Sequence, residues 1–361
     1  MSLTLTRRAL NRATLDRQLL LRKAELPLLD AVELLVGLQA QTPHTWYHGL
    51  WCRLSTFDPA ELAGLLTDRK VVRMALMRST IHLVTARDCR WLRPLVQPVI
   101  VRSMSGNFGK NLTGVDTDKL IAAGRELVED RPMIFSELGR ALAQQWPDRD
   151  PASLAQAIRA WVPLVQVPPR GVWGMSGRPA HTTIESWLGF GVDPAPSVDR
   201  LVLRYLAAFG PASVKDAQTW SGLTKLAEVF SRLDLVPFRD ESGRELFDLP
   251  DAPRPDPDTP APPRFLYDFD NLLLSHADRT RVVTADAGQQ GYELSNAQPC
   301  MFLVDGFTAG DWKITRSRGT AVLTIRPFAR MSKKDTGAVA AEAARLLHFA
   351  APTDTHDLRF S

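Results

Sequence analysis

The sequence predicts an α+β protein, and three observations carry that prediction. Helical periodicity recurs in groups of three segments, each followed by two short β-prone runs, and this order comes round three times before residue 250. From Pro250 to Pro263 seven prolines interrupt the chain as a stiff, exposed connector. Beyond it, short apolar runs punctuated by Gly306 and Gly310 predict a strand-rich segment closed by one helix. At 361 residues the chain is long for a single core, so several modules are expected.

The first group comprises a helix from Arg12 to Lys23, with Leu15, Leu19 and Leu20 at helical spacing, and a helix over 30–41. Asp30 is a favourable N-cap for the second, Glu33 completes a capping box, and Val32, Leu34, Leu35 and Leu38 supply its apolar face. A third helix runs from Pro59 to Arg69, with proline at the favoured first position. Val71–Met77 and Thr80–Val84 then read as paired strands. The second group has helices over 117–129, 136–145 and 151–162, with Leu164–Val167 and Val172–Met175 as its β-pair across Pro168–Gly171. The third has helices over 198–209, 213–220 and 223–233, and strands at Leu235–Phe238 and Glu245–Asp248. Three helices followed by a β-pair is the winged-helix pattern, and the expected modules are 1–100, 115–190 and 195–250. After the connector, strands are expected at 264–271, 301–306, 310–314 and 320–325 and a helix over 332–349, which together predict a small β-barrel-like domain over 264–361.

Composition bounds the function. No run of about 18 uncharged apolar residues is present, so no membrane span is expected. The first residues lack the apolar stretch of a secretory signal. Cys52, Cys89 and Cys300 have no metal-ligand spacing and cannot all pair, which suits a reducing cytosol and a cytoplasmic protein. The net charge of +4 hides an asymmetry: residues 1–110 hold 16 Lys and Arg against 8 Asp and Glu, the remainder 28 against 32. A basic first third is the footprint of a polyanion-binding face, although a solvated arginine-rich surface reads the same way.

The polar stretch with the most chemical content is Leu38-Gln39-Ala40-Gln41-Thr42-Pro43. On a continuous helix two residues two apart point roughly 200° apart, so Gln39 and Gln41 serve one ligand only if the last turn loosens before Pro43. The plainer reading is a pair of solvated glutamines at a helix end. Arg78-Ser79-Thr80-Ile81-His82 sits at a strand junction and reads equally as a phosphate-facing cluster or as the wet face of an edge strand. Asp268 and Asp270 read as an acid pair or as local cap and ion-pair partners. His44 and His48 are four apart, but no third ligand lies near them, so neither metal nor cofactor is expected. There is no nucleophile elbow, phosphate loop or dinucleotide fingerprint.

Taken together, Leu38–Gln41, Gly49–Arg53, Met77–His82, Phe209–Ser213 and the segment from Asp270 to Arg279 resemble the AlkZ-like winged-helix DNA glycosylases, over nearly the whole chain. The resemblance implies three tandem winged-helix modules with a C-terminal β-domain, a C-shaped clamp around double-stranded DNA, and excision of bulky N7-alkylguanine adducts or interstrand crosslinks made by natural-product alkylating agents. It implies catalysis by a Gln-x-Gln motif, here Gln39 and Gln41, a role in self-resistance, and a β-hairpin that probes the minor groove. His44, His48, Arg53, Arg78, Thr80 and His82 are the candidates for DNA or lesion contact. The chemistry is coherent with that assignment. Glutamine cannot act as a general base of the usual kind, but an N7-alkylated guanine is already cationic and leaves without protonation. What remains is to hold a water near C1′ and to tolerate positive charge on the sugar, which amide oxygens and a helix C-terminus can do. The expected protein is a monomeric, monofunctional glycosylase. A non-catalytic winged-helix DNA-binding protein, a regulator or lesion sensor, is the alternative, and it differs in releasing no base.

Overall fold

The computed structural model describes residues 3–289 and 299–361. In chain order it has β1 (Leu3–Leu5), α1 (Arg7–Arg17), α2 (Leu28–Leu34), β2 (Leu38–Gln39), α3 (Thr45–Trp51), α4 (Pro59–Thr67), β3 (Val71–Ala75), β4 (Ile81–Thr85), α5 (Ala86–Leu95) and α6 (Gln97–Phe108). Then come α7 (Thr117–Asp130), α8 (Phe135–Ala143), α9 (Pro151–Trp161), β5 (Leu164–Gln166), β6 (His181–Thr183) and α10 (Ile184–Leu188). They are followed by α11 (Val198–Phe209), α12 (Val214–Ser221), α13 (Ala227–Arg232), β7 (Val236–Asp240) and β8 (Glu245–Asp248). Last are β9 (Arg264–Phe265), α14 (Asn271–Leu274), α15 (Ala285–Gln289), β10 (Cys300–Val304), β11 (Phe307–Ser317), β12 (Thr320–Pro327), α16 (Lys333–Ala350) and β13 (Thr355–Phe360). The class is α+β, as expected. Side-chain caps start several helices: Asp58 accepts from Ala60 N–H, Asp116 from Lys119 N–H, Asp150 from Ser153 N–H and Ser197 from Arg200 N–H, whereas α2 follows Pro27 with no side-chain cap and Asp30, expected to cap it, lies within its first turn.

The strands form three sheets. The largest around the glutamine stretch has the order β2-β4-β3-β5-β6 and is antiparallel throughout. This corrects the expected second β-pair. Val172–Met175 form no strand, and β5 instead joins β3, with Arg73 opposite Gln166, and β6, with Val165 opposite Thr182. Pro168 and Pro169 offer no N–H to a ladder, so pairing stops at Gln166 and the chain loops away before returning as β6. The expected helix over 30–41 is also corrected. It ends at Leu34, because Val36 and Gly37 take φ of 54° and 82° and turn the chain into β2. A Cβ on Gly37 would lie 2.5 Å from Val84 Cγ1 and 2.7 Å from the Leu83 carbonyl oxygen, so the turn and the approach to β4 both require glycine.

Past the connector the sheet β13-β12-β11-β10-β9 is open, and among the described residues no barrel closes. Val339, Ala343, Leu346 and Leu347 of α16 lie against Phe265, Phe302, Leu323 and Ile325, so a helix covers the apolar face that a barrel would hide by curling. The third sheet pairs β1 in parallel with β7, itself antiparallel to β8.

Part of the basic surplus of the first 110 residues faces inward, while Arg22, Arg69, Lys70 and Arg102 among others stay exposed. Arg17 forms a fully buried pair with Asp248 at 2.7 Å, and Arg12 and Arg8 both hold Asp305. Arg8 and Arg12 also donate to the Pro257 and Thr259 carbonyls, which ties the connector to α1. These arginines join segments distant in sequence and are spent before any phosphate arrives.

Candidate active site around Gln39 and Gln41

Because Gln39 is in an extended strand, the geometry of the pair differs from that of a helix end. Side chains of a strand alternate, so residues two apart share a face. Leu38 and Ala40 are buried in an apolar cluster with Trp46, Tyr47 and Leu83, whereas Gln39 ends β2 and Gln41 lies just beyond it, in the bend before Pro43. The chain between them is pinned by two hydrogen bonds. Ala40 N–H donates to the Ile81 carbonyl at 2.7 Å, and Arg73 Nη2 donates to the Ala40 carbonyl at 2.8 Å. Arg73 itself is buried and lies 4.5 Å over the Trp46 ring.

The two amides are held by their oxygens. Arg78 Nη2 donates to Gln39 Oε1 at 2.6 Å, and Ile81 N–H donates to Gln41 Oε1 at 2.8 Å. A guanidinium and a backbone N–H are donors only, so the partner atom must be oxygen in both cases. Gln39 is 3% exposed and Gln41 is open to solvent. Each oxygen keeps a second lone pair, and among the described residues the Gln39 side chain is bonded through its oxygen, not through Nε2.

Arg78 reaches Gln39 from a strained turn. Arg78 and Ser79 have φ of 55° and 62°, left-handed conformations that cost non-glycine residues roughly 1–2 kcal/mol each. Arg159 clamps the turn by donating to Ser79 O at 2.6 Å and Ser79 Oγ at 3.2 Å. Arg78 Nη1 donates to the Trp220 carbonyl of α12 at 2.6 Å. Burial, with a smaller push from Arg279, holds its pKa at about 10, low for a guanidinium but still charged at neutral pH.

His82 sits opposite Gln39 in the ladder. Its Nδ1 is 3.0 Å from the Thr80 carbonyl, which places the proton there. Burial first, and Arg78 second, push its pKa down to about 3, so it is a neutral imidazole with little basicity. Thr80 donates its hydroxyl back to the Met77 carbonyl at 3.1 Å and serves the turn.

The other expected contact residues are placed elsewhere. Arg53 is 1% exposed and makes a two-pronged pair with Asp270 at 2.7 and 2.9 Å, so it is buried away from the surface. His44 turns its ring toward Tyr47 and Trp173, and His48 lies among Trp173, Trp312 and Phe349. Burial lowers both histidines, His48 to about 4. They form part of an aromatic wall rather than a charged one.

Asn271 is a site residue that sequence reasoning missed. Its Oδ1 accepts from Gln39 N–H at 3.3 Å, and its Nδ2 donates to the Gly37 carbonyl at 2.6 Å, so it closes the open edge of β2. Asp270 caps α14 by accepting from Leu272 N–H. Arg53 therefore acts on Gln39 at two removes, by fixing Asp270 and with it Asn271. Asp268, the other acid of that segment, stands beside Thr42 and Thr45, whose hydroxyls offset a burial that raises its carboxyl. Among the described residues no group of His, Cys, Asp or Glu gathers as a metal-ligand set. The site holds two fixed amides, one arginine and one neutral histidine, which can orient water and stabilise charge but cannot remove a proton as a strong base.

A family model described as DNA glycosylase AlkZ-like matches residues 32–349, which include Gln39, Gln41, Arg78, His82 and Asn271. Among solved structures the chain is similar to the DNA glycosylase AlkZ of Streptomyces sahachiroi, with 20% identity, a TM-score of 0.79, and coverage of 99% of this chain and 100% of that one. At that identity the likeness concerns the fold. A search of curated proteins gives no match.

Proposed function

The chain belongs to the AlkZ-like family of DNA glycosylases, and on that premise we propose that it hydrolyses the N-glycosidic bond of bulky N7-alkylguanine adducts or crosslinks in double-stranded DNA. The observation that carries the reading is that Gln39, at the end of an edge strand, and Gln41, just beyond it, each have the side-chain oxygen fixed by a donor-only partner. The leaving group is cationic, so no acid is needed; between them the two amides position the lesion nucleotide and a water near C1′, and an amide oxygen faces the positive charge that develops on the sugar. Since α2 ends at Leu34, a helix dipole takes no part in this step. The neutral His82 fits a mechanism without a strong base. The exposure of Gln41 suits a bulky lesion that no tight pocket accommodates.

In this reading the helix-rich groups are winged-helix modules over 1–100, 115–190 and 195–250, which form a C-shaped clamp with the β-rich segment 264–361. The hairpin β11–β12 is the minor-groove probe: Lys313, Arg316 and Arg318 are exposed on it and its tip is the Arg318–Gly319 turn. In the same reading the enzyme is a monomer of the cytoplasm, and it is monofunctional because the lysines nearest the motif in sequence, Lys23 and Lys70, do not adjoin it to offer a Schiff base. The proposed role is self-resistance to an alkylating natural product, on the family resemblance alone.

The test is incubation with duplex DNA bearing either a bulky cationic N7-guanine adduct or a neutral lesion of similar size. The expected result is release of the adducted guanine alone, abasic sites revealed by alkali, and no enzyme–DNA adduct trapped by borohydride. Binding of several adducts with no base released overturns the assignment in favour of a non-catalytic DNA-binding protein.

A further inference from the structure

We propose that Arg78 is a positioning residue that divides the work between the glutamines. By holding Gln39 Oε1 it makes Gln39 a hydrogen-bond donor toward the lesion nucleotide and leaves Gln41 as the oxygen that holds water. The inference deepens the glycosylase reading and rests on it.

Arg78 has no carboxylate partner among the described residues; its guanidinium is satisfied by two neutral oxygens, Gln39 Oε1 and the Trp220 carbonyl, each at 2.6 Å. Arg78 is half-buried, and desolvating a cation without a counter-ion is costly. The chain bears that cost on a turn with two consecutive left-handed residues, locked by Arg159 on Ser79. Such an arrangement aims one side chain at one atom. An amide oxygen engaged by a cation is a weaker acceptor for water, and the same polarisation strengthens its N–H donors. Gln39 Nε2, which bonds to none of the described residues, is the group so strengthened. Gln41 Oε1 is bound only by the neutral Ile81 N–H at 2.8 Å, and the side chain is open to solvent, so its second lone pair is the better acceptor for a water proton. Because the other arm of Arg78 rests on α12, the orientation of Gln39 depends on a segment about 180 residues downstream in the chain.

The experiment is a cycle of Arg78→Met, Gln39→Ala and the double variant, read by single-turnover base release and by the dissociation constant for adduct DNA. The expected result is a loss of about 10- to 100-fold in the release rate for Arg78→Met, the worth of one hydrogen bond to a charged group. Affinity changes less than about threefold, and Arg78→Met costs almost nothing further once Gln39 is alanine. Equal losses in both backgrounds, or lost affinity with an intact rate, overturn the proposal. Should Arg78→Met melt at the assay temperature, Arg78→Lys takes its place and is expected to recover part of the rate through a single donor; a rate as low as that of Gln39→Ala with normal melting overturns the proposal. The side-chain amide resonances of Gln39, identified by their loss in Gln39→Ala, are expected to shift in the Arg78 variant. Unchanged resonances refute the contact itself, whereas a wild type that releases no base refutes the function on which the proposal rests.

Discussion

Replacing Gly37 by alanine tests whether the turn from α2 into β2 sets the register of the glutamine pair. The methyl group enters at φ 82°, which costs an L-residue roughly 1–2 kcal/mol. It also meets Val84 Cγ1 at 2.5 Å and the Leu83 carbonyl oxygen at 2.7 Å. The first neighbour can rotate, but the second is backbone of the paired strand, so β2 must move away from β4 at an overpacking cost of roughly 1–3 kcal/mol. The sum is about 2–5 kcal/mol of lost stability. The movement also draws Gln39 away from Arg78 and loosens the Asn271 bond to the Gly37 carbonyl, so base release falls together with stability. Gly64→Ala is the control: it lies inside α4 with nothing within 4 Å of a new Cβ, and removing a helical glycine is neutral or stabilising by up to about 1 kcal/mol. The assay is urea unfolding, in which Gly37→Ala is expected to lower the midpoint with an unchanged slope. Equal midpoints for the two variants refute the reasoning.

Two further outcomes follow from the buried polar groups. Arg53→Met leaves the fully buried Asp270 carboxylate unpaired, with an expected loss of about 3–5 kcal/mol, and adding Asp270→Leu is expected to restore all but about 1 kcal/mol, the worth of the lost cap on α14; a double variant as unstable as the single one in urea contradicts this. His82 and His181 are held at about 3 by burial, whereas the unfolded imidazole titrates near 6.5, so the unfolded chain takes up protons first and stability is lost as pH falls below about 6.5 toward the folded values. Each is expected to account for about 2 kcal/mol of loss between pH 7 and 5, and a urea midpoint that is flat over that interval, or equally steep in His82→Gln, contradicts the assignment.

The elements most legible in the sequence are those with local signals. Capping aspartates before α4, α7 and α9 and the paired runs of β3 and β4 need only neighbouring residues to be seen. What escaped depends on contacts with no local signature. Val172–Met175 has the composition of a strand, but β5 finds better partners in β3 and β6 once the prolines end its run. The sequence does not show which arginines of the basic first 110 residues are internal: Arg17 meets Asp248 and Arg53 meets Asp270, 231 and 217 residues away. The open C-terminal sheet replaced the expected barrel-like domain because α16 covers its apolar face. Within the candidate site the glutamines stood out by motif, while their geometry did not: a helical period put them on opposite sides, and only Gly37, readable as a helix-ending glycine, hinted at the strand. Asn271, bonded to Gln39 from 232 positions away, left no trace that periodicity could detect.

The central claim is that Gln39 and Gln41 carry glycosidic-bond hydrolysis in this chain. The most direct measurement is single-turnover release of a bulky N7-alkylguanine from duplex DNA by the wild type, Gln39→Ala and Gln41→Ala, with adduct-DNA binding measured alongside. The expected result is release by the wild type, loss of at least about 100-fold in Gln41→Ala and a substantial loss in Gln39→Ala, with binding retained in both. Full activity in Gln41→Ala, or tight binding by the wild type with no base released, contradicts the account.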